Sequence, residues 1–235
     1  MWIKFCLLSV VVFLSSFPAL AGDSPTIIVL GDSISAAYNM ETGQSWPSLL
    51  QDRLHRNGYS HRVFNSSISG DTTQGGLSRL PRLLDKHHPA LVIIELGGND
   101  GLRGIPIEVT RTNLSTMIES SQAASATVLL AEMRIPPNYG MTYTEQFNRN
   151  YGLLKEKYGV LLIPFLLEKV ALEPGLMQAD GIHPTAEAQP ILLDAVVRSC
   201  CDRIVDPCAC KIPTTITPCG LRVCKMAGTK PRIGL

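Results

Sequence analysis

No cysteine occurs between Cys6 and Cys200, so the body of this chain must hold together by its own core and not by disulfide staples. No Gly-x-Ser-x-Gly elbow occurs anywhere, which removes the ordinary α/β-hydrolase signature. A Gly-x-x-x-x-Gly-Lys loop is missing too, and with it the usual cradle for nucleotide phosphates. The body has no Cys/His spacing of the metal-binding kind, so neither a metal nor an organic cofactor is expected. Charge is nearly balanced, 21 Lys and Arg against 20 Asp and Glu, which argues against a dedicated nucleic-acid binder. Beyond the first residues there is no long apolar run, so no stable membrane insertion is expected of the mature chain.

What is present begins with a short basic start, Met1-Trp-Ile-Lys4, and an apolar run from Phe5 to Phe17. Ala19-Leu-Ala21 offers the small residues a signal peptidase reads, so residues 1–21 are expected to be a signal peptide cleaved after Ala21. The run is shorter than the roughly 20 residues of a membrane span. Cys6 lies inside the run and not at the cleavage point, which argues against a lipoprotein anchor. The expected mature protein is exported, periplasmic or secreted, and monomeric.

Residues 22–199 form one expected domain. Five apolar segments rich in β-branched residues read as strands: 27–30, 62–66, 90–96, 126–132 and 160–164. Near-continuous hydrophobicity, as in Leu91-Val-Ile-Ile94, fits strands buried on both faces. Helical spacing fills 45–57, 76–88, 106–125 and 143–158, and a last helix is expected over about 184–199. Strands alternating with helices predict an α/β fold, a three-layer α/β/α sandwich on a five-stranded parallel sheet. In such sheets the site lies beyond the carboxyl ends of the strands.

Candidate chemistry falls at those ends. Ser33 follows the first apolar run in Gly31-Asp-Ser33, and Asp180-Gly-Ile-His183-Pro184 lies near the end of the domain. A serine needs a base whose tautomer a third group fixes, and an acid three residues before a histidine can be that group. Asn99, in Leu96-Gly-Gly-Asn-Asp100, and Gly70, after another strand, could donate to a developing oxyanion. Taken singly, each of these tripeptides also reads as a plain turn. The other histidines, His55, His61, His87 and His88, lie in polar surroundings at helix ends or loops.

Together the blocks resemble the SGNH (GDSL) hydrolases, named for their Ser, Gly, Asn and His. They stand here as Gly31-Asp-Ser33, Gly70, Gly97-Gly-Asn-Asp100 and Asp180-Gly-Ile-His183, and the likeness runs from Thr26 to about Leu193. Ile28–Ala37, Asn65–Asp71, Glu95–Gly104, Met133–Gly140 and Gly181–Pro184 look like that family's bacterial periplasmic thioesterase, lysophospholipase and arylesterase branch. The resemblance implies a flavodoxin-like fold and hydrolysis of acyl thioesters and carboxylic esters, with a small acyl ester or thioester as partner. It implies Ser33 as nucleophile, His183 as general base and Asp180 as its orienter. Ser33, Gly70 and Asn99 would form the oxyanion hole. Gly101, Leu102, Arg103, Gly104, Ile105 and Pro106 would form a mobile substrate-binding loop. A carbohydrate acetylesterase on the same fold, or an inactive binding module, are the competing readings.

Residues 200–235 change character, with prolines, threonines and Cys200, Cys201, Cys208, Cys210, Cys219 and Cys224. This tail is expected to lie outside the core, with the last helix losing its pattern from Asp194 onward. Asn65 and Asn113 each open a glycosylation sequon.

Overall fold

The computed structural model describes residues 24–201. The expected signal segment and residues 202–235 of the tail lie outside them. Five parallel strands are laid down in chain order: β1 (Thr26–Gly31), β2 (Arg62–Asn65), β3 (Leu91–Glu95), β4 (Thr127–Ala131) and β5 (Leu161–Ile163). They pair in the order β2-β1-β3-β4-β5. The helices between and after them are α1 (Trp46–Arg56), α2 (Thr73–His87), α3 (Gly98–Leu102), α4 (Ile107–Ala123), α5 (Met141–Tyr158) and α6 (Gln189–Cys201).

The two-residue period of a strand sorts the core into two layers. Ile28, Leu30, Val92, Ile94 and Leu130 face one side and pack under α2, α4 and α5 with Leu80, Leu114, Met117 and Phe147. Ile27, Val29, Leu91, Ile93 and Leu129 face the other and pack under α1 and α6 with Trp46, Leu50, Leu192 and Val196. This is the expected three-layer sandwich. Val92, Ile93 and Ile94 are fully buried, and each such side chain contributes roughly 1.5–3 kcal/mol. After β1 the sheet grows toward β2 and then, on the other side, toward β3, so the order reverses between β1 and β3. At such a switch point the two connections run to opposite faces and leave a crevice at the strand ends.

Several boundaries differ from the sequence reading. α2 begins at Thr73, ahead of the expected Gly76, because the Thr72 hydroxyl accepts from Gly75 N–H and caps it. Gly76 lies inside that helix, where a Cβ would meet the Leu96 side chain at 2.2 Å, so the glycine lets α2 sit close on the sheet. The expected last helix does not start at Pro184: a short 3-10 turn, Ala186–Ala188, precedes α6.

The expectation that this helix loses its pattern from Asp194 is corrected. α6 continues to Cys201, burying Leu192, Leu193, Val196 and Cys200 on one face, while Asp194 pairs with Arg53 at 2.7 Å. The last helix therefore runs two residues past Ser199, where the domain was expected to end. Of the two sequons, Asn113 is buried in α4 and donates to Thr73 Oγ1, which leaves no room for a glycan.

Candidate active site

Ser33 stands two residues beyond the end of β1, in a run of turns that spans residues 33–39. His183 arrives from the far end of the domain on the segment after β5. Gly181, at φ +67, turns that segment back on itself. Asp180 Oδ1 accepts from Ile182 N–H and His183 N–H, and its Oδ2 lies 2.7 Å from His183 Nδ1. These bonds, the His183 backbone N–H first and its ring second, hold the Asp180 carboxyl down at about 2. An ionised carboxylate can only accept, so His183 Nδ1 carries the hydrogen. Nε2 then lies 2.8 Å from Ser33 Oγ, and in the neutral imidazole it offers its lone pair to that hydroxyl. The arrangement can take a proton from a serine hydroxyl.

The other two expected oxyanion donors, Gly70 and Asn99, lie on the connections that follow β2 and β3. Gly70 follows the extension of β2 at φ +77, just ahead of the Thr72 cap of α2. Among the described residues, no protein group accepts from Ser33 N–H or Gly70 N–H. Asn99 lies on the first turn of α3, which Asp100 locks in place. The Asp100 carboxylate accepts from Thr73 N–H, from the Thr73 hydroxyl and from Thr110 Oγ1, tying α3 to α2 and α4. Gly97 precedes α3 at φ +116, where a Cβ would collide with the Tyr151 hydroxyl. One N–H of the Asn99 amide donates to Asp32 Oδ2 at 3.1 Å and leaves the other available.

That contact leads to a buried carboxylate pair which the sequence reading missed. Asp32 is 3% exposed, and its backbone N–H donates to Glu95 Oε2 at 3.2 Å. Glu95, at the end of β3, is fully buried. The Ser35 hydroxyl donates to it at 2.7 Å, and Trp46 Nε1 donates to Ser35 Oγ in turn. Burial pushes the Asp32 carboxyl up to about 6, against the opposing Ile34 N–H and Asn99 bonds. Burial pushes Glu95 well above the carboxylate range, and the charge of Asp32 adds to the rise. Both carboxyls thus hold their protons to higher pH than an ordinary carboxylate, with burial the first cause in each. A carboxylate closing the apolar run Leu91–Ile94 was the available signal.

The sign of the pH dependence follows. Each folded pKa lies above the ordinary carboxylate value of about 4, so the folded state binds more protons and loses stability as pH rises. Glu95→Gln does not titrate. Its melting temperature is expected to gain on that of the wild type as pH rises above the ordinary carboxylate value of about 4. Parallel curves across that range would mean that Glu95 is ionised in the folded protein.

The expected substrate loop is only partly a loop. Gly101 and Leu102 belong to α3, and Gly101 is buried, where a Cβ would meet Ile135 at 2.5 Å. Only Arg103, Gly104, Ile105 and Pro106 form the connection to α4. Tyr139 and Tyr143 hydroxyls donate to the carbonyls of Leu102 and Ile105, and Arg103 Nη2 donates to Gly70 O at 2.9 Å. This stretch borders the site through Arg103, while Gly101 faces the core.

Residues 29–190 match the GDSL-like lipase/acylhydrolase family. An esterase of Pseudomonas aeruginosa, TesA, is 53% identical over 171 residues, covering 73% of this chain and 85% of that protein. The thioesterase 1/protease 1/lysophospholipase L1 of Escherichia coli K12 is 46% identical over 181 residues, covering 77% and 85%. A crystal structure of a TesA superposes with a TM-score of 0.72 at 52% identity, covering 74% of this chain and 97% of that one.

Proposed function

Because this chain belongs to the GDSL-like lipase/acylhydrolase family, we propose that it is a serine hydrolase that cleaves acyl esters and thioesters through an acyl-enzyme. One observation carries the roles: the unbroken line of hydrogen bonds from Asp180 through His183 to Ser33 Oγ, at 2.7 and 2.8 Å. In the first half-reaction Ser33 Oγ attacks the acyl carbonyl as His183 Nε2 takes its proton. Asp180 keeps Nδ1 protonated and offsets the imidazolium charge. Ser33 N–H, Gly70 N–H and the Asn99 amide donate to the oxyanion. The imidazolium then gives its proton to the departing alkoxide or thiolate. Water, deprotonated by the same nitrogen, releases the carboxylic acid in the second half-reaction.

The names of the relatives favour substrates with one acyl chain, including thioesters and lysophospholipids. The N-terminal segment 1–21, read as an export signal, favours acyl esters met outside the cytoplasm over cytosolic acyl-CoA. Two measurements test this reading. A fluorophosphonate should label Ser33 stoichiometrically, located by mass on the peptide that contains it. The purified protein should also hydrolyse p-nitrophenyl esters and acyl-CoA, with a chain-length profile that reports the acyl site. A folded protein that resists the label and hydrolyses neither substrate would overturn the proposal.

A further inference from the structure

The Tyr38 ring lies flat against the His183 imidazole, with centroids 4.1 Å apart and planes 29° from parallel. Two residues in the left-handed region flank it, Ala37 at φ 60 and Asn39 at φ 53. A chain seldom adopts that conformation at an alanine, and such outliers persist where the surrounding structure imposes them, often at functional sites. Here the outliers bracket the residue whose ring stacks on the imidazole.

Gln178 ties the two segments together. Its Nε2 donates to Tyr38 O and to Pro184 O, each at 3.0 Å, and its backbone N–H donates to His183 O at 2.8 Å. Gln178 thus links the Tyr38 backbone to that of His183 and Pro184. The Tyr38 hydroxyl bonds to no group among the described residues, so the aromatic face is the part that acts on His183.

We propose that Tyr38 is a positioning residue for His183: its ring fixes the imidazole plane between Asp180 and Ser33 and favours the imidazolium formed during each half-reaction. The π face carries negative charge and attracts a cation, whereas a neutral imidazole feels little of it. The attraction grows as His183 takes the serine proton, so it acts on the transition state more than on the bound substrate. This inference rests on the proposed roles of Ser33 and His183.

The test compares wild type with Tyr38→Leu and Tyr38→Phe for kcat, KM and melting temperature on p-nitrophenyl butyrate. Tyr38→Leu keeps an apolar side chain but no π face. It should lower kcat by on the order of 10-fold, as for loss of a partly exposed cation–π contact, with KM unchanged. Restoring a ring with Tyr38→Phe should recover most of that rate. Should Tyr38→Leu melt below the assay temperature, Tyr38→Met is the second ring-free variant.

Equal rates for the Leu and Phe variants would overturn the inference, as would a loss confined to KM. A wild type that neither turns over nor accepts a fluorophosphonate would instead sink the functional reading itself. Labelled wild type with an indifferent position 38 would sink only the role of Tyr38.

Discussion

Ser33→Ala is expected to reduce kcat by on the order of 10⁶, the loss seen when one member of a serine triad is removed. The expectation rests on how little else the side chain does. Its hydroxyl has one hydrogen bond, to His183 Nε2, and Ser33 lies outside the regular strand. Alanine keeps the backbone N–H and the turn, so the melting temperature should stay within about a degree or two, as for a surface change of a few tenths of a kcal/mol. His183→Ala should cost about as much, and the double variant little more, because the two side chains act as a unit. Turnover and melting measured together decide the matter. A folded Ser33→Ala protein with more than a few percent of wild-type turnover would place the nucleophile elsewhere.

Asn99→Ala should lower kcat by roughly 10²–10³-fold while leaving KM nearly unchanged, as for loss of one oxyanion donor. The geometry adds a complication that the experiment must separate. The Asn99 amide also donates to Asp32 Oδ2, so its removal deprives a buried carboxylate of one of its two side-chain and backbone donors. That second loss acts on the folded state and appears in the melting temperature. The loss of the oxyanion contact appears only when negative charge develops on the substrate. A variant whose damage lies mainly in KM would make Asn99 a substrate-binding residue.

Much of this architecture was legible because it is written in local pattern. The run Leu91–Ile94 is apolar at every position, and only a strand covered on both faces has use for that. Ser33, Gly70 and Asn99 could be placed on one rim because each follows a segment that reads as a strand. The buried acids resisted because their partners are remote in sequence: Asp32 and Glu95 are 63 residues apart, and nothing local in Gly31-Asp32-Ser33 reveals the contact.

Tyr38 was invisible for the same reason, since its stacking partner comes from the other end of the domain. The last helix was misjudged at Asp194. Its pattern continues because Val196 and Cys200 stay buried, and Arg53 on α1 supplies Asp194 with a counter-charge across the layer. Gly101 looked like loop flexibility, but the space beside it is filled by Ile135 and Phe147.

The separation of Ser33 from His183 has a consequence during synthesis. The two lie 150 residues apart, and the base arrives on one of the last segments of the domain, between β5 and α6. At roughly 5–20 residues per second, a growing chain exposes its serine for several seconds to half a minute before the histidine exists. A nascent chain that ends before His183 therefore lacks the imidazole that bonds Ser33 Oγ. The order of the residues along the chain acts as a built-in delay that withholds this pair until synthesis of the domain is nearly complete.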